Sequence, residues 1–186
     1  MNAYQKKLNI HSDIIKKLDG FIISQRIPHI LFHGSSGTGK HTLVYDFVNK
    51  IYNYDKSKLK TNVMFVNCAH GKGIKFIRDE VKFFAKTNIQ GNKGIQFKTI
   101  VLFNADSLTI DAQSAMRRCI ESFSFNTRFF IVVENKHKML NPILSRFCEI
   151  YVSDNLDENG DIINLHQYHL NNIYGKSNVH INNWFN

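Results

Sequence analysis

Gly34-Ser-Ser-Gly-Thr-Gly39-Lys40 is the stretch that most narrows what this chain can fold into. The pattern G-x-x-x-x-G-K follows the apolar run His29-Ile-Leu-Phe-His33 and precedes Thr42 to Ile51, whose Leu43, Phe47 and Ile51 share one helical face. A glycine-rich turn between a strand and a helix lets backbone N–H groups converge on phosphate oxygens with no side chain in the way. The helix amino terminus adds partial positive charge, and the lysine reaches the outer phosphates. The candidate phosphate-binding residues are Gly34, Ser35, Ser36, Gly37, Thr38, Gly39, Lys40, His41 and Thr42. One position departs from the pattern. His41 stands where a Ser or Thr hydroxyl holds Mg2+, and Thr42 points about 100° further round the helix, away from that place. Backbone binding of phosphate survives the change, but Mg2+ coordination is put in question.

The rest of the chain alternates between helical and strand periodicity. Ile10, Ile14, Leu18 and Ile22 form a helical stripe, and Pro28 ends that element. Val63 to Val66 reads as a second strand. Ile74, Ile77, Val81 and Phe84 form the stripe of another helix, with Lys75, Arg78 and Lys82 elsewhere on it. Thr99 to Phe103 is a continuous apolar run, as expected of a strand covered on both faces. Ala112, Ala115, Met116, Cys119 and Phe123 make a further stripe, followed by strands at Arg128 to Val133 and Glu149 to Val152. Strands alternating with helices imply an α/β fold with a parallel sheet and right-handed crossovers. Gln90 to Lys98 reads as a surface loop. Residues 153–186 are polar and rich in asparagine, with scattered Ile162, Leu165, Leu170, Ile173 and Trp184, enough for one helix but not for a second core.

Composition sets outer limits. A formal charge of +9 suits a polyanionic partner. Cys68, Cys119 and Cys148 are odd in number and far apart, which fits a reducing compartment better than a disulfide framework or a zinc site. His166 and His169 lack partner ligands, so no metal site is assigned. The first ten residues do not read as a secretory signal, and no stretch approaches the roughly 18 apolar residues of a membrane span. The abundance of Asn, Lys and Ile suits an AT-rich genome such as that of a large DNA virus.

A phosphate-loop ATPase needs acids at the end of a later apolar strand, to hold Mg2+ and to orient the attacking water. Here Thr99-Ile-Val-Leu-Phe103 runs into Asn104-Ala105-Asp106. The stretch from Ile100 through Asn104-Ala-Asp-Ser-Leu-Thr-Ile-Asp-Ala-Gln-Ser-Ala-Met-Arg-Arg-Cys-Ile-Glu121 resembles the Walker B segment and following helix of sliding-clamp loader small subunits. These are the replication factor C family of AAA+ ATPases. Pro28-His-Ile-Leu-Phe-His-Gly34, the Gly73 to Ala85 helix and the Asn126 to Arg146 run are similar to the same family, so the resemblance covers roughly residues 10 to 152.

The resemblance implies an AAA+ three-layer sandwich over residues 1–152, with five parallel strands in the order 5-1-4-3-2, and a polar tail over 153–186. The family's helical lid and collar, expected after residue 152, have no counterpart in that tail. It implies ATP or ADP as ligand, and as partners other clamp-loader subunits, a sliding clamp and primer-template DNA, inside the cell in nucleus or cytoplasm (or a viral replication site), with no membrane. The family's aspartate–glutamate pair falls on Phe103 and Asn104, and its sensor asparagine on Glu134, beside Asn135. His41, Phe103 and Asn104 make three changed positions tied to metal and water, and weak or absent hydrolysis at this site is expected. Arg146 falls where the family places the arginine finger that reaches a neighbour's γ-phosphate. Lys72, Lys75, Arg78, Arg117 and Arg118 fall on helices that track the DNA backbone in the family. Two rival readings stay open: an active ATPase in which Thr42, Asp106 and Asn135 replace the lost groups, and a non-catalytic assembly module.

Overall fold

A computed structural model describes residues 11–70, 74–87, 97–156 and 162–163. Five strands, β1 (Ile30–His33), β2 (Val63–Asn67), β3 (Lys98–Phe103), β4 (Thr127–Val133) and β5 (Cys148–Tyr151), form one sheet in the spatial order β2-β3-β4-β1-β5. Every pairing in it is parallel. This is the order expected from the sequence, counted from the other edge.

The three layers follow from period-2 alternation on strands that are buried on both faces. Ile30, Phe32, Val101, Phe103, Phe130 and Val132 share a core with Leu18 of α1 (Ser12–Ile23) and with Val44, Phe47, Val48 and Ile51 of α2 (Lys40–Ile51). Leu31, Ile100, Leu102, Phe129 and Ile131 face the other way, onto Met116, Cys119 and Ile120 of α6 (Ile110–Phe123). That second layer also holds α4 (Ile74–Phe76), a π-helical turn (Ile77–Val81) and α5 (Lys82–Lys86) in succession. The apolar stripe from Ile74 to Phe84 therefore lies on a helix interrupted by one wide turn, which the spacing alone does not reveal.

Two short helices escape sequence periodicity because local hydrogen bonds make them. In α3 (Lys56–Asn62), the Asp55 carboxylate accepts from Ser57 N–H at 2.9 Å and Lys58 N–H at 3.2 Å, a side-chain cap for a nearly all-polar helix. In α7 (Asn141–Leu144), Pro142 stands at the first turn, where its missing N–H costs nothing. Beyond Val152 the described residues form β6 (Asn155–Leu156) and β7 (Ile162–Ile163), paired antiparallel, where the sequence suggests a helix. Leu165, His166, His169, Leu170, Ile173 and Trp184 lie outside the described residues, as does most of the expected 90–98 loop.

Polar groups inside the fold are tied at the strand ends. Tyr52, at the carboxyl end of α2, shares a hydrogen bond with Thr99 Oγ1 at 3.0 Å and donates to Phe97 O at 3.1 Å; burial pushes its pKa up to about 12. His29 lies between the rings of Phe129 and Phe147, and its Nδ1 accepts from Phe129 N–H at 3.1 Å. Burial, helped by the nearby Arg128 charge, lowers the His29 pKa to about 4.

An unfolded chain protonates His29 near its ordinary pKa of 6.5, whereas the folded chain resists until about 4. Stability is therefore present in full above that window and is lost as pH falls through it, by roughly 2–3 kcal/mol. Denaturant titrations of the native chain and His29→Gln across that window should show a shallower pH slope in the variant, although the variant starts less stable at neutral pH. At Gly34, a Cβ would meet Val152 O at 2.1 Å, in backbone with φ +151°. Gly34→Ala should cost roughly 2–4 kcal/mol in the same measurement, because the first residue of the loop and the end of β5 cannot both keep their places.

Candidate functional site

The parallel register sets the carboxyl ends of β1, β3 and β4 side by side: His33 pairs with Val133, and Phe103 with Val132. The residues that follow each strand (Gly34 to Lys40, Asn104 to Asp106, and Glu134 with Asn135) therefore meet at one end of the sheet. Gly37 and Gly39 take left-handed φ values of 82° and 90°, and Gly39 caps α2 with bare backbone. The first turn of α2 points its unbonded N–H groups into the loop, as an anion site requires.

Lys40 is buried, 5% exposed, and its ammonium crosses the loop. Nζ donates to Gly34 O at 2.7 Å, Ser35 O at 2.5 Å and Thr38 Oγ1 at 3.3 Å. Burial lowers its pKa, and the carboxylates of Glu134, Asp106 and Asp154 act in the opposite direction. The loop is tied from outside as well. His11 Nε2 bonds Thr38 O at 2.8 Å, and Ser35 Oγ donates to Asp154 Oδ2 at 3.4 Å. His11 and Asp154 lie far from the loop in sequence, and nothing in the residue pattern marks them. Ser36 and Thr42 are exposed.

The changed positions come together. The His41 ring stacks on Phe103, with centroids 4.3 Å apart and planes 16° from parallel. Tyr45 lies 5.4 Å from Phe103 and 4.7 Å from Phe65, and Phe65 is parallel to Phe103 at 6.2 Å. Packing of its ring holds the His41 pKa below the usual imidazole value, with the Lys40 charge adding to the effect. Asn104 has a left-handed backbone, φ 53°, and its Nδ2 donates to Asn67 Oδ1 at 2.9 Å. Glu134 is exposed, and Asn135 spends its side-chain oxygen on His137 N–H at 2.9 Å, capping the turn Lys136–Lys138.

A phosphate-loop fold implies Mg2+, a hard cation that takes oxygen ligands. Position 41 offers an imidazole face and position 103 a phenyl ring, so the residues present do not fit that ion. Among the described residues, no group of three or more His, Cys, Asp or Glu side chains converges as a metal site elsewhere.

The basic residues divide into two sets. Arg146 follows α7 and sits at the surface, donating through Nη2 to Glu121 Oε1 at 2.6 Å and through Nη1 to Pro142 O. Arg117 Nε holds the same Glu121 oxygen at 2.9 Å. That hydrogen bond, with the charges of Arg117, Arg146 and Arg118, keeps the Glu121 carboxyl below the usual range. Lys75, Arg78, Arg117 and Arg118 are exposed on two neighbouring helical elements, since Ile77, Val81 and Ala85 share a core with Met116, Cys119 and Ile120. Lys72 lies outside the described residues. The sequence pattern does not show that Glu121 is shared by two arginines; Arg117 and Arg146 lie 29 positions apart and meet there only because α6 and α7 are brought together.

No family model matches the chain. It is 36% identical over 141 residues to a Replication factor C small subunit of Halobacterium salinarum, a match covering 76% of this chain and 42% of that protein. It is 40% identical over 136 residues to the Replication factor C small subunit of Saccharolobus solfataricus, covering 72% and 39%. Against Replication factor C subunit 3 of Schizosaccharomyces pombe the figures are 39% identity over 138 residues, covering 73% and 38%. The chain thus spans about two fifths of the length of the curated relatives it matches. In three dimensions it is similar to a DNA polymerase III gamma subunit-related protein of Thermotoga maritima, with TM-score 0.61 and 17% identity over 76% of this chain and 47% of that one. It is also similar to the RuvB Holliday junction branch migration motor of the same organism, with TM-score 0.56 and 15% identity over 81% and 47%. Among the described residues, no helix is long and apolar enough to cross a membrane.

Proposed function

We propose that this chain, a homologue of the replication factor C small subunits across its AAA+ domain, is a nucleotide-binding subunit of a clamp-loader-like assembly in DNA replication that hydrolyses ATP weakly or not at all by itself. The observation that carries this reading is the His41–Phe103 stack. Hydrolysis in a phosphate-loop site needs a metal beside the β- and γ-phosphates and a carboxylate or equivalent to orient water. The stack occupies both metal-binding positions, and Asn104 stands where the water-orienting acid would be.

Nucleotide binding itself needs none of those groups. ATP or ADP is held by the backbone of Gly34 to Gly39, by the amino end of α2 and by Lys40, which exchanges its loop carbonyls for phosphate oxygens. The rival in which Thr42, Asp106 and Asn135 restore catalysis is weakened by the capping bond that already engages Asn135.

Arg146 serves a neighbouring subunit. A guanidinium supplied in trans meets charge that develops on the transferring phosphoryl group, worth roughly 10³–10⁵ in rate. Glu121 keeps Arg146 folded against α6 until a phosphate competes for it. Lys75, Arg78, Arg117 and Arg118, with Lys72, follow the backbone of primer-template DNA without reading bases, and Glu134 and Asn135 remain the sensor-like pair at the end of β4. The partners are other subunits of a hetero-oligomer and a sliding clamp, inside the cell.

Turnover measurements test the catalytic half of this reading. The isolated chain should hydrolyse ATP far below about 1 s⁻¹, and Lys40→Ala should abolish nucleotide binding without lowering that background. Lys40-dependent turnover at an ordinary enzymatic rate rules the reading out. In the reconstituted assembly, Arg146→Ala should lower ATP turnover by at least about 10³-fold, and an unchanged rate removes the finger. For DNA, Arg78→Ala and Arg118→Ala should each reduce the slope of log K against log salt by about 1, with equal effect on unrelated sequences.

A further inference from the structure

The ring pair at the head of α2 bears on how the site takes its ligand, and we propose that the chain holds a nucleoside di- or triphosphate through its phosphates alone and offers no ligand to Mg2+, so that the metal does not change the affinity. This rests on the nucleotide-binding reading above and adds the metal requirement of binding to it.

A metal in a phosphate loop lies between the hydroxyl after the lysine and the carboxylate that ends the apolar strand. The two positions are occupied by His41 and Phe103, with ring centroids 4.3 Å apart. Mg2+ holds its ligands at about 2.0–2.1 Å in an octahedron and keeps several waters. Two rings in stacking contact leave no space for such a shell between them, and neither supplies an oxygen. The stack is braced by Tyr45 from α2 and Phe65 from β2, so three elements maintain it. Phe103 is 4% exposed and forms the buried base of the stack, while His41, Tyr45 and Phe65 lie at its exposed rim.

Charge balance agrees. With Phe103 in place of an acid, one negative charge fewer stands beside the phosphates, although Glu134, Asp106 and Asp154 still act on Lys40. Lys40 and the α2 dipole remain as the positive groups at the loop, and they serve a metal-free polyphosphate without competition from a carboxylate at position 103.

The test is calorimetric titration of the full chain with ATP and with ADP, in EDTA and in excess Mg2+. The expected result is a Kd for each nucleotide that differs by less than about threefold between the two buffers. Binding that is about tenfold or more tighter in Mg2+ overturns the metal-free site and leaves the nucleotide-binding reading standing. No binding in either buffer overturns both. The double variant His41→Thr, Phe103→Asp should acquire a preference for Mg2+ of about tenfold or more, provided circular dichroism shows it folded. Phe103→Leu keeps an apolar side chain and should remain indifferent to Mg2+; Mg2+ dependence appearing in it overturns the proposal, because position 103 would still offer no ligand.

Discussion

The parallel ladder through β1 is the constraint on which the site depends. β1 is a four-residue strand held by β4 on one side and β5 on the other, with Phe32 paired to both Val132 and Ile150. Its register levels the carboxyl ends of the strands, so the loop after His33 emerges beside the ends of β3 and β4. The ladder also brings Val152 O to where any side chain at position 34 would stand. The glycine that opens the loop is therefore demanded by the neighbouring strand alone, whatever the loop binds. One ladder positions the loop, Phe103 with Asn104, and Glu134 with Asn135 together.

That end of the sheet is aromatic at the places where the phosphate-loop pattern is ionic. A hydroxyl, an acid and a metal ordinarily balance one another there, and losing one alone leaves a charge or a donor unmatched in a partly buried place. His41 and Phe103 differ from the pattern jointly and are in direct contact, so the pair forms a new local solution rather than two separate losses. Lys40 keeps three hydrogen bonds under cover, and the carboxylates of Glu134, Asp106 and Asp154 work against the lowering of its pKa by burial, which prevails. The loop retains what phosphate binding uses while the positions specific to a metal and a water are filled with rings and an amide.

A second set of contacts positions the opposite flank. Gln113 is buried on α6; its amide donates to Leu108 O at 3.1 Å and Lys138 O at 3.0 Å, and its oxygen accepts from Leu140 N–H at 2.9 Å. These bonds fasten α6 to the segment leading into α7, and so fix where Arg146 meets Glu121. A buried amide with three satisfied bonds is costly to replace, since any truncation leaves backbone groups unpaired. The arginines of α6 and the arginine after α7 thereby come to share one carboxylate.

Much of the fold was legible without coordinates because apolar spacing records it directly. The continuous run Thr99 to Phe103 announces a strand buried on both faces, and the glycine spacing from Gly34 to Lys40 announces a turn between strand and helix. The loss of the acids was equally readable, since residue type alone decides whether a position can ligate Mg2+. Periodicity was silent on the π-turn at Ile77–Val81, on α3 with its Asp55 cap, and on the strand pair after Val152, all of which rest on local hydrogen bonds. The sequence by itself determined which groups are available: a phosphate loop, a lysine, no metal ligands at two positions, and a set of arginines. Only the tertiary structure decided that His41 stacks on Phe103, that His11 and Asp154 tie the loop, and that Arg117 and Arg146 converge on Glu121. Apart from Arg117 and Glu121, one turn apart on α6, those contacts join residues 25 to 119 positions apart, and the relative placement of such residues is set by strand register and helix packing, which residue spacing does not encode.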